Sequence, residues 1–210
     1  MKKDLIIYGT VFGISVYDLA QHYCEWNVIG FFDDTKPLGA TIIDGRVTLD
    51  PEKVFSSNED ISVVVAVSKP QLKEKLINKL VCKYNNVCFP TLISPNALVS
   101  KNSIIESGCI VNHFAIVSTG AVIAHNTLLD VRATVGHGTQ IGKYSTISAS
   151  SHISGNIIIG ERCFCGAMSF VMEKRKIDDN VVIAAGSMVF TDIPPNVTVM
   201  GNPATILMRH

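Results

Sequence analysis

A chain of 210 residues carries 18 basic and 18 acidic side chains, so its formal charge is zero. That balance leaves no electrostatic footprint for nucleic acid or an anionic membrane, and no apolar run approaches the ~20 residues of a membrane span. Six cysteines with no CxxC pair, and no apolar leader before them, read as reduced thiols of a cytoplasmic protein.

Residues 3–8 form a short apolar strand that runs into Gly9-Thr10-Val11-Phe12-Gly13. The spacing predicts a helix over 14–24, with Val16, Leu19, Ala20 and Tyr23 on one stripe. A second strand over 28–32 closes on Asp33-Asp34, and a short strand is expected near Ile42-Ile43. The run 61–67 is continuously apolar, as a strand of a parallel sheet buried on both faces requires. Pro70 then opens a helix that ends near Lys83. Alternating strands and helices predict a small parallel α/β, Rossmann-like domain over residues 1–90. Ligands of such sheets gather at the carboxyl ends of the strands, here Gly9 to Gly13, Asp33-Asp34 and Ser68-Lys69.

From Ile93 to Val189 every sixth residue is aliphatic, with Cys165 the single exception among seventeen positions. The residue two places earlier is small, except at Ile157, Arg175 and Val181. A period of six fits neither an α-helix nor an open sheet, and predicts a β-helix over residues 91–210. Its aliphatics stack inside and its corners are turned by small residues, so function must sit on outward positions. The ends of such a coil are raw, and the α/β domain below and the tail after Pro194-Pro195 are expected to cap them.

His113, His125 and His137 share one phase of the repeat, which suggests a metal cluster. If about eighteen residues complete a triangular coil, steps of twelve place them on three different sides, and no metal site is expected within one chain. His137 stands apart because Gly136 and Gly138 flank it and strip away bulk.

The Gly9 turn, the Phe31-Phe32-Asp33-Asp34 strand end, the hexapeptide array, the segment Val-Gly-His-Gly-Thr-Gln-Ile-Gly and the terminal Gly-Asn-Pro-Ala together resemble the bacterial sugar O- and N-acetyltransferases. These include the nucleotide-amino-sugar N-acetyltransferases and the sialic-acid O-acetyltransferase-like proteins. The resemblance covers nearly the whole chain. It implies a left-handed β-helix, a homotrimer with sites between subunits, acetyl-CoA as donor and His137 as general base. It further implies that Asp130, where relatives commonly have asparagine, lies beside the amino group of the sugar. Thr146, Gly155, Ala167 and Ala185 match positions along acetyl-CoA; Gly9, Thr10, Asp33 and Asp34 match positions around the nucleotide, with Lys36 toward its phosphates. Two departures stand out. Many relatives have Asp or Glu directly after the histidine, where this chain has Gly138, and the first turn differs from the Gly/His-rich form ending in Lys.

The expected activity is therefore acetyl transfer to the 4-amino group of a nucleotide-linked 4-amino-4,6-dideoxyhexose of surface polysaccharide, such as O-antigen. A dTDP-sugar is preferred over a UDP-sugar because of the altered first turn. O-acetylation of sialic acid or a related sugar, and a non-catalytic trimeric scaffold, are the alternatives.

Overall fold

The computed structural model describes residues 2–24, 26–56 and 59–209. Its first part is a four-stranded parallel sheet of order β2-β1-β5-β6, formed by β1 (Lys3–Tyr8), β2 (Trp26–Phe32), β5 (Ile61–Val65) and β6 (Val87–Cys88). The central strands are buried on both faces, which is why they read as unbroken aliphatic runs. A small hairpin, β3 (Thr41–Ile43) and β4 (Arg46–Val47), and the short helix α2 (Pro51–Val54) follow β2. Helix α3 spans Pro70–Lys83, as its Pro70 start predicts.

The first helix departs from expectation. α1 covers only Gly13–Asp18 and passes into a π-helical turn, Leu19–Tyr23, closed by the Cys24 N–H on the Leu19 carbonyl. The wider turn shifts the phase by about one residue. Val16, Leu19 and Ala20 remain buried, but Tyr23 leaves their stripe, stands 47% exposed and meets His113 edge-on at 4.6 Å.

The second part is a parallel β-helix whose coils repeat every 18 residues, so Ile110 pairs with Leu92 below and Leu128 above. Two-residue strands build three faces. Face A starts at Leu92–Ile93, face B at Leu98–Val99 and face C at Ile104–Ile105. The aliphatic ladder from Val111 to Val189 is buried inside, and the large exceptions Ile157 and Val181 are buried there too, filling the interior. Each aliphatic contributes roughly 1.5–3 kcal/mol on full burial. The corners have a second regularity: every sixth residue from Gly108 to Gly186 has positive φ, including Phe114, Arg132, Tyr144, Arg162, Met168 and Lys174. The left-handed conformation costs a non-glycine residue about 1–2 kcal/mol, and stacked coils hold it in place.

The α/β domain does not cap the coil from below; it docks on the side. Outward residues of face A, Leu92, Ile110 and Leu128, are buried in one apolar cluster with Leu5, Ile7, Val16 and Phe31. The lower end consequently stays open: Ile93 is 39% exposed, and Val99 and Ile105 are only partly buried. At the upper end the tail does cover the interior through Ile193, Val197 and Val199, then folds back as a hairpin of Val197–Gly201 with Ala204–Arg209.

Candidate functional site

The carboxyl ends of β1, β2 and β5 open onto a cleft of about 370 Å³ lined by Tyr8 to Phe12, Asp33 to Thr35 and Ala66 to Lys69, with Leu72 and Leu76 at its wall. Gly9 takes φ +98 there, and a Cβ would lie 3.0 Å from the Ala66 carbonyl, so only glycine fits. Asp33 accepts from the backbone N–H and hydroxyl of both Thr10 and Thr35. Burial alone would raise its carboxyl, but these bonds outweigh burial and hold it below the usual carboxylate range. Asp34 pairs with Lys79 at 2.8 Å and accepts from the Tyr8 hydroxyl at 3.0 Å. Gly9, Thr10, Asp33 and Asp34 are thus gathered in one place. Lys36 is exposed and lies outside this lining; the cation there is Lys69, at the start of α3.

A second cleft, about 630 Å³, adjoins the first through Phe12 and separates α1 from the β-helix. Asn112, His113, Asp130 and Val131 form its floor, with Asp18 and His22 above and Asp44 at the β3–β4 turn. Asn112, buried at 4% exposure, donates its amide to Asp130 Oδ1 at 3.2 Å, and the Val131 N–H donates to the same oxygen at 2.8 Å.

His137 lies elsewhere, exposed at the corner after face B. A Cβ on Gly155, one coil above, would fall 2.4 Å from its Cε1, so the bare backbone of Gly155 forms the floor under the ring. The Asn156 amide nitrogen is 3.2 Å from Nε2. Gly138 has φ +65, and a Cβ there would come 2.6 Å from Asn156 Oδ1. A side chain at 138 would therefore have to turn the Asn156 amide aside, away from His137. His113, His125 and His137 follow strands of faces A, C and B, at three different corners. Among the described residues no hydrogen bond or ion pair joins His137 to Asp130.

Ala167 and Ala185 stack at the corner after face A, where the Gly186 N–H bonds the Ala167 carbonyl at 2.9 Å. Thr146 does not offer its side chain to a ligand. It is 1% exposed at the domain junction, where its hydroxyl donates to the Ser68 carbonyl at 2.8 Å and accepts from Lys73 Nζ at 3.1 Å. Lys73 is fully buried, and burial pushes its amine down to about 7, with the Cys109 thiol acting weakly the other way. Sequence reasoning missed Lys73, because a lysine in the first turn of an amphipathic helix reads as solvent-facing. Among the described residues no cluster of metal-binding side chains forms, and no helix is long and apolar enough to cross a membrane.

The architecture is thus a small parallel α/β module docked on the side of a hexapeptide β-helix. Residues 4–80 match the PglD N-terminal domain family. The acetyltransferase domain of PglB from Neisseria gonorrhoeae superposes with TM-score 0.87 at 27% identity, over 98% of this chain and all of that one. PerB from Caulobacter crescentus, solved with CoA and GDP-perosamine, gives 0.88 at 22% identity, over 98% of each chain. The Escherichia coli protein carried under the name colanic acid biosynthesis acetyltransferase WcaF is 38% identical over 65 residues, 30% of this chain. That segment spans 36% of the relative's own length. Over nearly its whole length the chain is similar to these bacterial proteins, and its coil is a left-handed β-helix like theirs.

Proposed function

We propose that the protein transfers the acetyl group of acetyl-CoA to the 4-amino group of a nucleotide-linked 4-amino-4,6-dideoxyhexose, with His137 as general base. The observation that carries this reading is the His137 corner. The ring is exposed, the bare backbone of Gly155 leaves room beneath it, and among the described residues its Nε2 meets the Asn156 amide alone. An arriving amine can replace that amide at the nitrogen that takes a proton. The amine then forms its bond to the thioester carbonyl carbon as His137 removes the proton. The C–S bond breaks, the imidazolium returns its proton to the departing sulfur, and CoA leaves as the free thiol. PglB has been solved with acetyl coenzyme A and PerB with CoA and GDP-perosamine, which supports the donor and the acceptor class.

The first cleft suits the nucleotide. Thr10 and Asp33 can meet sugar or base hydrogens, and Lys69 at the N-terminus of α3 suits the phosphates. The altered first turn continues to favour a dTDP-sugar over a UDP-sugar. The test is a panel of dTDP-, UDP- and GDP-linked 4-amino sugars incubated with acetyl-CoA, with release of free thiol as readout. No release with any of them would sink the reading; release only with sialic acid or a related sugar would establish O-acetylation in its place.

The site is completed by a second copy in this reading. Faces B and C, unlike face A, leave outward aliphatics uncovered: Leu98, Ile116 and Met188 on one, Ile104 and Ile158 on the other. Apolar strips along two faces of a prism fit neighbours in a closed ring of three. In such a ring His137 of one copy can meet Asp130 of the next, although they occupy different corners of one chain. Mixing His137→Ala with Asp130→Ala chains through a dissociation and reassembly step is then expected to restore about one quarter of wild-type sites. Activity no higher than that of either variant alone would place both residues in one chain's site.

A further inference from the structure

The phase of the repeat separates His113 from His137, yet the structure places His113 in the second cleft beside Asp130, against another part of the molecule. Both groups are fixed from behind by buried polar residues. Ser94, 1% exposed, holds His113 Nδ1 at 2.7 Å, and its Oγ also takes the Asn96 N–H. Asn112 accepts the His113 N–H at 2.8 Å and donates to Asp130 Oδ1. Tyr23 then packs edge-on against the imidazole. The outcome is one carboxylate oxygen, Oδ2, and one imidazole nitrogen, Nε2, that make no hydrogen bond among the described residues.

We propose that His113 completes a two-point clamp on the acceptor: with the Asp130 carboxylate beside the sugar amine, as the family resemblance implies, the imidazole takes a hydroxyl on the adjacent ring carbon. Coils stack at about 4.8 Å. His113 follows Asn112 in one coil, and Asp130 lies directly above Asn112 in the next. Two groups one coil apart can bracket neighbouring substituents of one ring. The acceptor class that follows is a vicinal amino alcohol, tethered through Phe12's end of the cleft to the nucleotide in the first. This rests on the acetyl-transfer reading and adds to it a selection for the hydroxyl beside the amine. His113 recognises the acceptor; the proton goes to His137.

The experiment compares wild type, His113→Phe and Ser94→Ala on two acceptors, a nucleotide-linked amino sugar and its analogue lacking the neighbouring hydroxyl. His113→Phe keeps an aromatic ring against Tyr23 and removes the nitrogen. On the full acceptor its KM is expected to rise about 5- to 20-fold, the size of one hydrogen bond lost, with kcat within about threefold and the KM for acetyl-CoA unchanged. The deoxy acceptor is expected to show the raised KM already with wild type and no further change in the variant. Ser94→Ala, which frees the ring without removing it, is expected to fall between.

An equal KM rise on both acceptors, or no rise on either, would overturn the clamp. Isothermal titration of the same acceptors without acetyl-CoA reads the same ratios. The clamp thus stays testable even if no thiol is released, an outcome that would count against acetyl transfer and not against the clamp.

Discussion

Replacing His137 with alanine is expected to lower kcat by about 10²–10⁴-fold, the usual contribution of a positioned general base, with the fold intact. The ring is exposed and the coil beneath it is held by backbone ladders and buried aliphatics, none of which the substitution touches. The residual activity is expected to lose the acidic limb of the wild-type kcat/KM profile. A profile of unchanged shape would remove His137 from the role. Gly155→Ala provides the matching positional test. Its Cβ would fall 2.4–2.8 Å from three ring atoms, so the imidazole must swing off its floor. A kcat loss of about 10- to 100-fold is expected, because misplacing a catalytic group by about 1 Å has that order of effect. If Gly155→Ala turned over normally, the ring orientation seen here would not be the reactive one.

The β-helix was legible because one hydrophobic period ran unbroken for nearly half the chain, and no other fold buries a six-residue repeat. The left-handed corners were not legible. Only Gly108, Gly120, Gly138 and Gly186 among them are glycine, while Arg132, Tyr144 and Lys174 adopt the same φ because the coils above and below enforce it. Nor could the sequence say which face of the prism is covered. Leu92, Ile110 and Leu128 are buried against the α/β domain and Leu98, Ile104 and Ile116 are exposed, yet both sets are outward aliphatics of the same kind. That ambiguity explains why end-capping was expected where side-docking is found. The same limit hid the second cleft. Counting coils correctly separates His113 from His137, but a count along one chain carries no information about Tyr23, brought to His113 by a π-helical turn that the 3.6 period does not foresee. Thr146 shows the reverse: its repeat position reads as a surface one, and α3 covers it.

Lys73 should make the domain junction weaker near neutral pH than at pH 9.5. Its amine is buried between α3 and face A, hydrogen-bonded to the Ser145 carbonyl at 3.2 Å and the Thr146 hydroxyl at 3.1 Å, and burial brings it down to about 7 from an ordinary lysine value of 10.5. The unfolded chain therefore binds a proton at this residue between about pH 7 and 10.5 that the folded chain does not. Where the unfolded state holds the extra proton, stability rises with pH. The penalty is absent above pH 10.5, grows as pH falls toward 7 and is constant below, reaching roughly 4–5 kcal/mol. Lys73→Met keeps a long apolar side chain in the junction and removes the titration. It strands no partner: the Ser145 carbonyl still accepts from the Leu128 N–H, and the Thr146 hydroxyl still donates to the Ser68 carbonyl. Lys73→Met is accordingly expected to be more stable than wild type at pH 7 by about 2–4 kcal/mol, the penalty less the lost hydrogen bonds. Its advantage is expected to shrink by about 3 kcal/mol at pH 9.5. Denaturant unfolding of both proteins at the two pH values measures the difference, and groups common to both cancel. A stability difference that does not change with pH would mean that Lys73 is charged in the folded protein, with the junction supplying solvation that its two hydrogen bonds do not account for.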